Sequence, residues 1–192
     1  MDKILDWHSR AAQEFGRRVH LVRPDQWGCA TPCTDWQVHG LVNHLVVEQL
    51  WVPPLLAGQT IAEVGDSFDG DQLGKDPIGA WDEASAAAHA ALVEPGALDR
   101  IVHLSYGDRP AHEYAMELTF DLVVHAWDLA RALGVDEHLD PELVDQVYEM
   151  AESQADLLAG SGLFAPPVPV AGDADKQSRL MGLTGRDPDQ VV

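Results

Sequence analysis

The sequence predicts a mainly α-helical chain: an up-down bundle of four long helices, with an extra helix and a small β element beside it. Three observations carry this expectation. Five segments repeat apolar residues at every third or fourth position, the period of a helix that turns one face to a core. Caps, prolines and glycines bound these segments, and most connections are short. Only residues 100–106 alternate as a strand does. At 192 residues the chain suits one domain over 1–192, with about 161–192 as a C-terminal tail carrying a short helix.

The first helix is expected over about 3–22, with Ile4, Ala11, Phe15, Val19 and Val22 on one face. His8 falls on that face too, either as a core histidine with a satisfied hydrogen bond or as a group lining a site. Thr34 with Gln37 three residues later reads as a capping box for a second helix. That helix should run to about Val52 and stop at Pro53 and Pro54. Val38, Leu41, Val42, Leu45, Gln49 and Val52 face inward, and His44 lies at the border beside Leu41, Glu48 and Trp51. Residues 55–76 hold several glycines and acids and read as a surface loop, with room for a turn of helix at Pro54. Loops of that length often serve as lids or binding loops.

Asp76 and Pro77 open a third helix to about Val93, burying Trp81, Ala84, Ala88 and Leu92 until Pro95 and Gly96 end it. After the strand-like stretch, Gly107 and Asp108 should turn the chain, and Arg109 and Pro110 lead into the fourth helix at 111–133. Asp140 and Pro141 cap a further helix to about 159, with Leu143, Val147, Ala151, Ala155 and Leu158 inward and Gly160 ending it. It should pack outside the bundle or cap it. The tail has an extended proline-rich piece, FAPPVPV, then a short helix over 175–183.

Twelve basic against 32 acidic residues give a net charge of −20, which argues against a nucleic-acid surface and for a solvated acidic one. No run has the length of a membrane span, and MDKILDWHSR lacks the apolar core of a signal peptide, so a cytoplasmic location is expected. Cys29 and Cys33 are too few for a four-cysteine zinc site, and their spacing is not that of a redox pair. They read as reduced thiols without a special role, although Cys33 sits near a helix start.

The chemistry concentrates in YAMELTFDLVVHAWDLARALG, residues 114–134, where Tyr114, Leu118, Leu122, Leu129 and Leu133 form the apolar stripe. Asp121 and His125 interrupt it. Four residues apart, they share one helix face. A carboxylate among leucines is costly unless compensated, and a divalent metal would compensate it. A third ligand has to come from another core helix, and His44 is placed for that. Three protein ligands leave a fourth position for water or substrate, the pattern of a catalytic metal, with a cavity beside the 55–76 loop to face. Without a metal, the same residues would make a buried Asp–His hydrogen bond. His103 and His112 fall off the inward face. Asp128, three residues past His125, is suited to orienting the imidazole rather than binding metal, and Trp127 to packing.

NHLVVEQLW, DLVVHAWDLARALG and the tail DADKQSRLMGLTGRDP together resemble the DinB-like superfamily. More narrowly they resemble the metal-binding domain of mycothiol-dependent maleylpyruvate isomerases and their short single-domain relatives, over nearly the whole chain. The resemblance implies an up-down four-helix bundle holding zinc, or else nickel, with His44, Asp121 and His125 at the ligand positions. Asp121 stands where the family has Glu or His, which shortens one ligand and bears on metal choice. The isomerases carry a further C-terminal domain that contributes to their active site, and the present sequence ends too early to hold it. Isomerisation of maleylpyruvate is therefore not implied. What carries over is the metal bundle and use of a low-molecular-weight thiol such as mycothiol.

The functional expectation is a metal-dependent thiol transferase or isomerase, monomeric or homodimeric, acting on small molecules. Arg109 and Arg131 are candidates for the thiol's carboxylate. One alternative is a metal-assisted hydrolase with Glu48, or less directly His8, as its general base. The other is a non-catalytic metal-binding protein of stress response.

Overall fold

Two apolar clusters, stacked end to end, set the direction of the long helices in the computed structural model, which describes residues 3–34, 36–155 and 164–190. In chain order the helices are α1 (Lys3–Val19), α2 (Val38–Leu56), the single turn α3 (Ile61–Val64), α4 (Pro77–Leu92), α5 (Ala111–Leu133), α6 (Pro141–Ser153) and α7 (Lys176–Leu183). One cluster joins residues 11–19, 38–46 and 120–133 with Trp81 and Ala84. The other joins Val52, Leu55, Leu56, Ala88, Leu92 and residues 111–118, with Ile4 and Leu5 against it. So α1 and α5 run from the second cluster to the first, while α2 and α4 run the opposite way. The broadest contacts are between α1 and α5 and between α2 and α4. Residues 57–76 are the crossover that returns the chain between α2 and α4.

Most of the expected apolar faces are buried, with Ile4 at the start of α1 half-buried. Trp81, Ala84, Ala88 and Leu92 of α4 are inward, and Asp76 caps that helix by accepting from the Gly79 N–H. Gly16 lets α1 approach α4 closely, since a Cβ there would lie 2.8 Å from the Trp81 indole nitrogen. Helix α5 is buried nearly all round from Leu118 to Ala130, because α1, α2, α6 and the C-terminal segment surround it.

Several boundaries differ from expectation, each for a local reason. Helix α1 ends at Val19, though Val22 beyond it is still buried. Thr34 and Gln37 form no capping box, and α2 starts at Val38. Its first amides are met by loop carbonyls instead: Val38 N–H donates to Cys29 O and His39 N–H to Trp27 O, both at 2.9 Å. Pro53 and Pro54 do not stop α2. They forfeit two amide donors, but Leu55 and Leu56 are buried in the second cluster and hold the last turn in place. The capping box that does form is Thr60 with Glu63, at the head of α3 inside the crossover.

Strand β1 (Ile101–Leu104) pairs antiparallel with β2 (Gly107–Pro110), Ile101 opposite Pro110 and Leu104 opposite Gly107. Gly107 and Asp108 thus belong to the second strand, and Ser105 and Tyr106 make the turn. Helix α6 is capped by Asp140 and ends at Ser153, with Ala155 half-buried; Leu158 and Gly160 lie outside the described residues. Arg10 of α1 holds the head of α6 through Asp140 and, at 2.7 Å, Glu142. Asp175 caps α7, which packs on α6 and puts Leu180 and Met181 into the main core. Among the described residues no helix is long and apolar enough to cross a membrane.

Candidate metal centre

Because α2 and α5 run antiparallel, the middle of one faces the middle of the other. His44 Nε2 lies 2.9 Å from Asp121 Oδ2, and His125 Nε2 lies 3.3 Å from Asp121 Oδ1. One ligand atom from each of the three residues falls within 4.8 Å of the others, the one such His/Cys/Asp/Glu group among the described residues. Ligands at zinc distances of about 2.0–2.1 Å in tetrahedral geometry stand roughly 3.3 Å apart, so the donor set fits a divalent cation in spacing as well as in type. The indole of Trp36, just ahead of α2, stacks on His44 at 4.4 Å between ring centres and tilts over His125 at 5.5 Å.

The tautomer of His125 is fixed from behind. Its Nδ1–H donates to Asp128 Oδ2 at 2.8 Å, and a carboxylate can only accept. That leaves Nε2 facing Asp121. Burial disfavours a charged His125, but Asp121 and Asp128 together raise its pKa to about 9. Burial likewise works against ionised Asp121, yet the two imidazoles hold it well below the usual carboxylate range. Asp128 is held down in the same way, against burial, by His125 and by Arg186.

Glu48 follows His44 by one turn of α2 and is half-buried. Burial, then the charge of Asp121, pushes its pKa up to about 7 against the pull of His44 and His125. Asn43, next to His44, pins the crossover by donating to Gly70 O at 3.0 Å and accepting from the Gln72 N–H at 2.8 Å. Phe68 of the same crossover meets Trp51 edge-on at 5.2 Å. The loop expected to flank the site does lie along the helix that carries His44. Two cavities, of about 280 and 180 Å³, run instead along the C-terminal segment, and the triad lines neither.

The other candidates lie elsewhere. His8 is 1% exposed, and neither ring nitrogen has a hydrogen-bond partner among the described residues. It is thus not a satisfied core histidine, and it is not one of the three converging ligand groups. Burial, then His89 of α4, lowers its pKa to about 4. Arg109 is on β2 over the Tyr106 ring. Arg131 lies over Trp127, faces Glu137 at 2.6 Å and donates to the carbonyls of Pro188 and Gln190, so it straps down the tail. Cys29 and Cys33 form no disulfide, and with α2 starting at Val38, Cys33 lies outside its first turn. Trp36 and Arg186 are the site residues that sequence reasoning missed. Trp36 belongs to no periodic face or motif, and Arg186 lies in the tail pattern DADKQSRLMGLTGRDP with no spacing that points to the centre, so contact across the fold is what brings both to it.

Two imidazoles and a carboxylate drawn into the interior of a four-helix bundle from facing helices define a class, the helical bundles with a cation-type donor set in the core. Within it, the family described as "Mycothiol maleylpyruvate isomerase N-terminal domain" matches residues 8–130, and the chain belongs to that family, as the DinB-like resemblance implied. Uncharacterized proteins from two strains of Mycobacterium tuberculosis are each 31% identical over 195 residues, covering 97% of this chain and 100% of theirs. A crystal structure of the mycothiol-dependent maleylpyruvate isomerase superposes with a TM-score of 0.70 at 15% identity, over 100% of this chain and 91% of that one. A mutant of that enzyme gives 0.64 at 13% identity, over 80% of this chain and 68% of that one. At such identities the likeness is one of fold. In the first of these structures it extends through the C-terminal segment and leaves little of the neighbour's chain unmatched.

Proposed function

We propose that His44, Asp121 and His125 bind one divalent metal, zinc or else nickel, and that the protein is a metal-dependent enzyme acting on a low-molecular-weight thiol of the mycothiol kind, as a transferase or isomerase. The observation that carries the reading is the convergence of two imidazole Nε2 atoms and one carboxylate, with His125 Nδ1 already committed to Asp128. When bound, such a metal supplies positive charge that lowers the pKa of a thiol or water beside it.

The chain's own groups do the rest. His44 from α2 and the Asp121–His125 pair from α5 would hold the metal, and three protein donors would leave it a further position for the thiol sulfur. Trp36 covers the imidazoles on one side and restricts water. Glu48, with a pKa of about 7, suits a general base that takes the thiol proton onto a carboxylate oxygen near neutral pH. The same carboxyl could take a proton from water, which makes a metal-assisted hydrolase the second reading. Thiol use is favoured by membership of a family whose name carries mycothiol.

The test is metal analysis of purified protein, then assay of metal-loaded protein for mycothiol conjugation to electrophiles beside hydrolysis of esters and amides. One equivalent of metal with mycothiol-dependent turnover is the expected result. Turnover without thiol would establish the hydrolase. Protein that binds neither zinc nor nickel would overturn the metal reading and leave a buried Asp–His contact.

A further inference from the structure

We propose that Arg186 is a positioning residue for the metal centre, acting through Asp128 on His125, so that docking of the C-terminal segment and metal affinity are coupled. The inference rests on the metal reading above. Arg186 and Asp128 stand 58 positions apart, yet Arg186 Nε donates to Oδ1 at 3.2 Å and Nη2 to Oδ2 at 2.7 Å. The same Oδ2 accepts from His125 Nδ1 at 2.8 Å. A two-point fork fixes the plane of the carboxylate, which a lysine with a single contact would not do. With its plane fixed, Asp128 holds the imidazole in one rotamer and one tautomer, and Nε2 is left toward Asp121. Carboxylates behind metal-binding histidines act in this way.

The arginine is itself held by the tail. Its Nη1 donates to Thr184 O at 2.7 Å, and its guanidinium lies 5.7 Å from the centre of the Phe164 ring. Gly185 before it has φ of +78°, and a Cβ there would meet Ala165 O at 2.6 Å. The turn that aims Arg186 inward thus requires glycine. Stability alone is a weak reason for this arrangement. The Asp128 side chain is wholly buried and that of Arg186 is 5% exposed, and apolar replacements of a buried ion pair are often as stable or more so. Among the described residues the hydrogen bond that leads from it to the triad is the one to His125, and the Arg186 charge also acts on Asp121. Coupling of this kind is reciprocal, so metal should also tighten the tail.

The experiment titrates zinc and cobalt(II) into metal-free full-length protein against a chelating dye, for wild type, Arg186→Gln and Arg186→Lys. It also records the cobalt(II) absorption spectrum and hydrogen exchange over residues 176–190 with and without zinc. Arg186→Gln should weaken binding about 10–100-fold and change the cobalt spectrum, with Arg186→Lys between it and wild type. Zinc should slow exchange in the tail of wild type but not of Arg186→Gln. If Arg186→Gln does not fold, Arg186→Lys against wild type carries the same comparison. Variants that melt lower yet keep wild-type affinity and spectrum would overturn the inference and leave the metal reading standing. Wild-type protein that binds neither ion would overturn the metal reading, and the inference with it.

Discussion

His8→Leu should make the fold less sensitive to acid. His8 of α1 is buried, neither ring nitrogen has a hydrogen-bond partner among the described residues, and His89 of α4 acts on it electrostatically. Its pKa falls from 6.5 in the unfolded chain to about 4 in the fold. A depressed folded value means that the stability is present above 6.5 and is lost as pH falls toward 4, because the unfolded chain takes up a proton that the native state refuses. At about 1.4 kcal/mol per pH unit, moving from pH 7.5 to pH 5 costs wild type about 2 kcal/mol through this one group. Leucine removes the titration. It also removes two buried polar atoms that lack partners, so the variant should be no less stable than wild type at pH 7.5. Urea unfolding of chelator-treated wild type and variant at both pH values measures the difference, and chelation keeps metal linkage out of it. The gap between the two should widen by about 2 kcal/mol at the lower pH. A gap that is the same at both would refute the placement of a neutral, unpartnered His8 in the core. Metal content should not change, since His8 is not one of the three converging ligand groups.

Zinc at a hundred times its dissociation constant should stabilise the fold by about 2.7 kcal/mol, seen as a rise in melting temperature of roughly 5–10 °C for a chain this size. His44→Ala, Asp121→Ala and His125→Ala should each abolish that rise, and a full rise in any of them would remove that residue from the ligand set. Zinc affinity should weaken as pH falls through the imidazole range, because His must be neutral to bind metal; isothermal titration across that range reads it directly. Asp128→Asn should weaken zinc binding about 10–100-fold while retaining more of it than His125→Ala, and equal losses would make Asp128 a ligand. Glu48→Gln should keep its metal and lose the ionisation near pH 7 from the pH profile of thiol transfer, so an unchanged profile would exclude Glu48 as the base.

The sequence made the helices legible because their apolar periods are strong. The faces of α2 and α4 and the limits of α5 follow from spacing alone, and so does the pairing of Asp121 with His125, which needs only one turn of helix. His44 was legible because a histidine beside the apolar face of a second core helix has few alternatives. The start of α2 was not. Thr34 and Gln37 have the right residue types, but carbonyls of the 27–29 loop reach the helix amides first, and that competition is tertiary. The run through Pro53 and Pro54 was also hidden, since local rules weigh the lost amides and cannot weigh burial of Leu55 and Leu56. Trp36 and Arg186 reach the centre from segments without periodicity, and Arg186 does so across 58 positions.

Charge links these parts. Three carboxylates, those of Asp121, Asp128 and Glu48, lie around the centre in a chain that already carries −20. Arg186 neutralises Asp128 with a permanent charge through two hydrogen bonds. Among the described residues Asp121 pairs directly only with imidazoles, with the Arg186 charge acting on it as well, and His125 gives up its charge as pH rises past about 9. Glu48 has no ion-pair partner among the described residues and keeps its proton up to about pH 7. A metal-free centre therefore stays balanced by holding protons on His125 and Glu48. One divalent charge among His44, Asp121 and His125 would balance Asp121 and Glu48 together and let both imidazoles stay neutral. On the proposed metal reading, metal uptake and release of those protons would be one equilibrium, and the pH dependence of binding would be set by how tightly Asp121 and Asp128 hold the proton on His125.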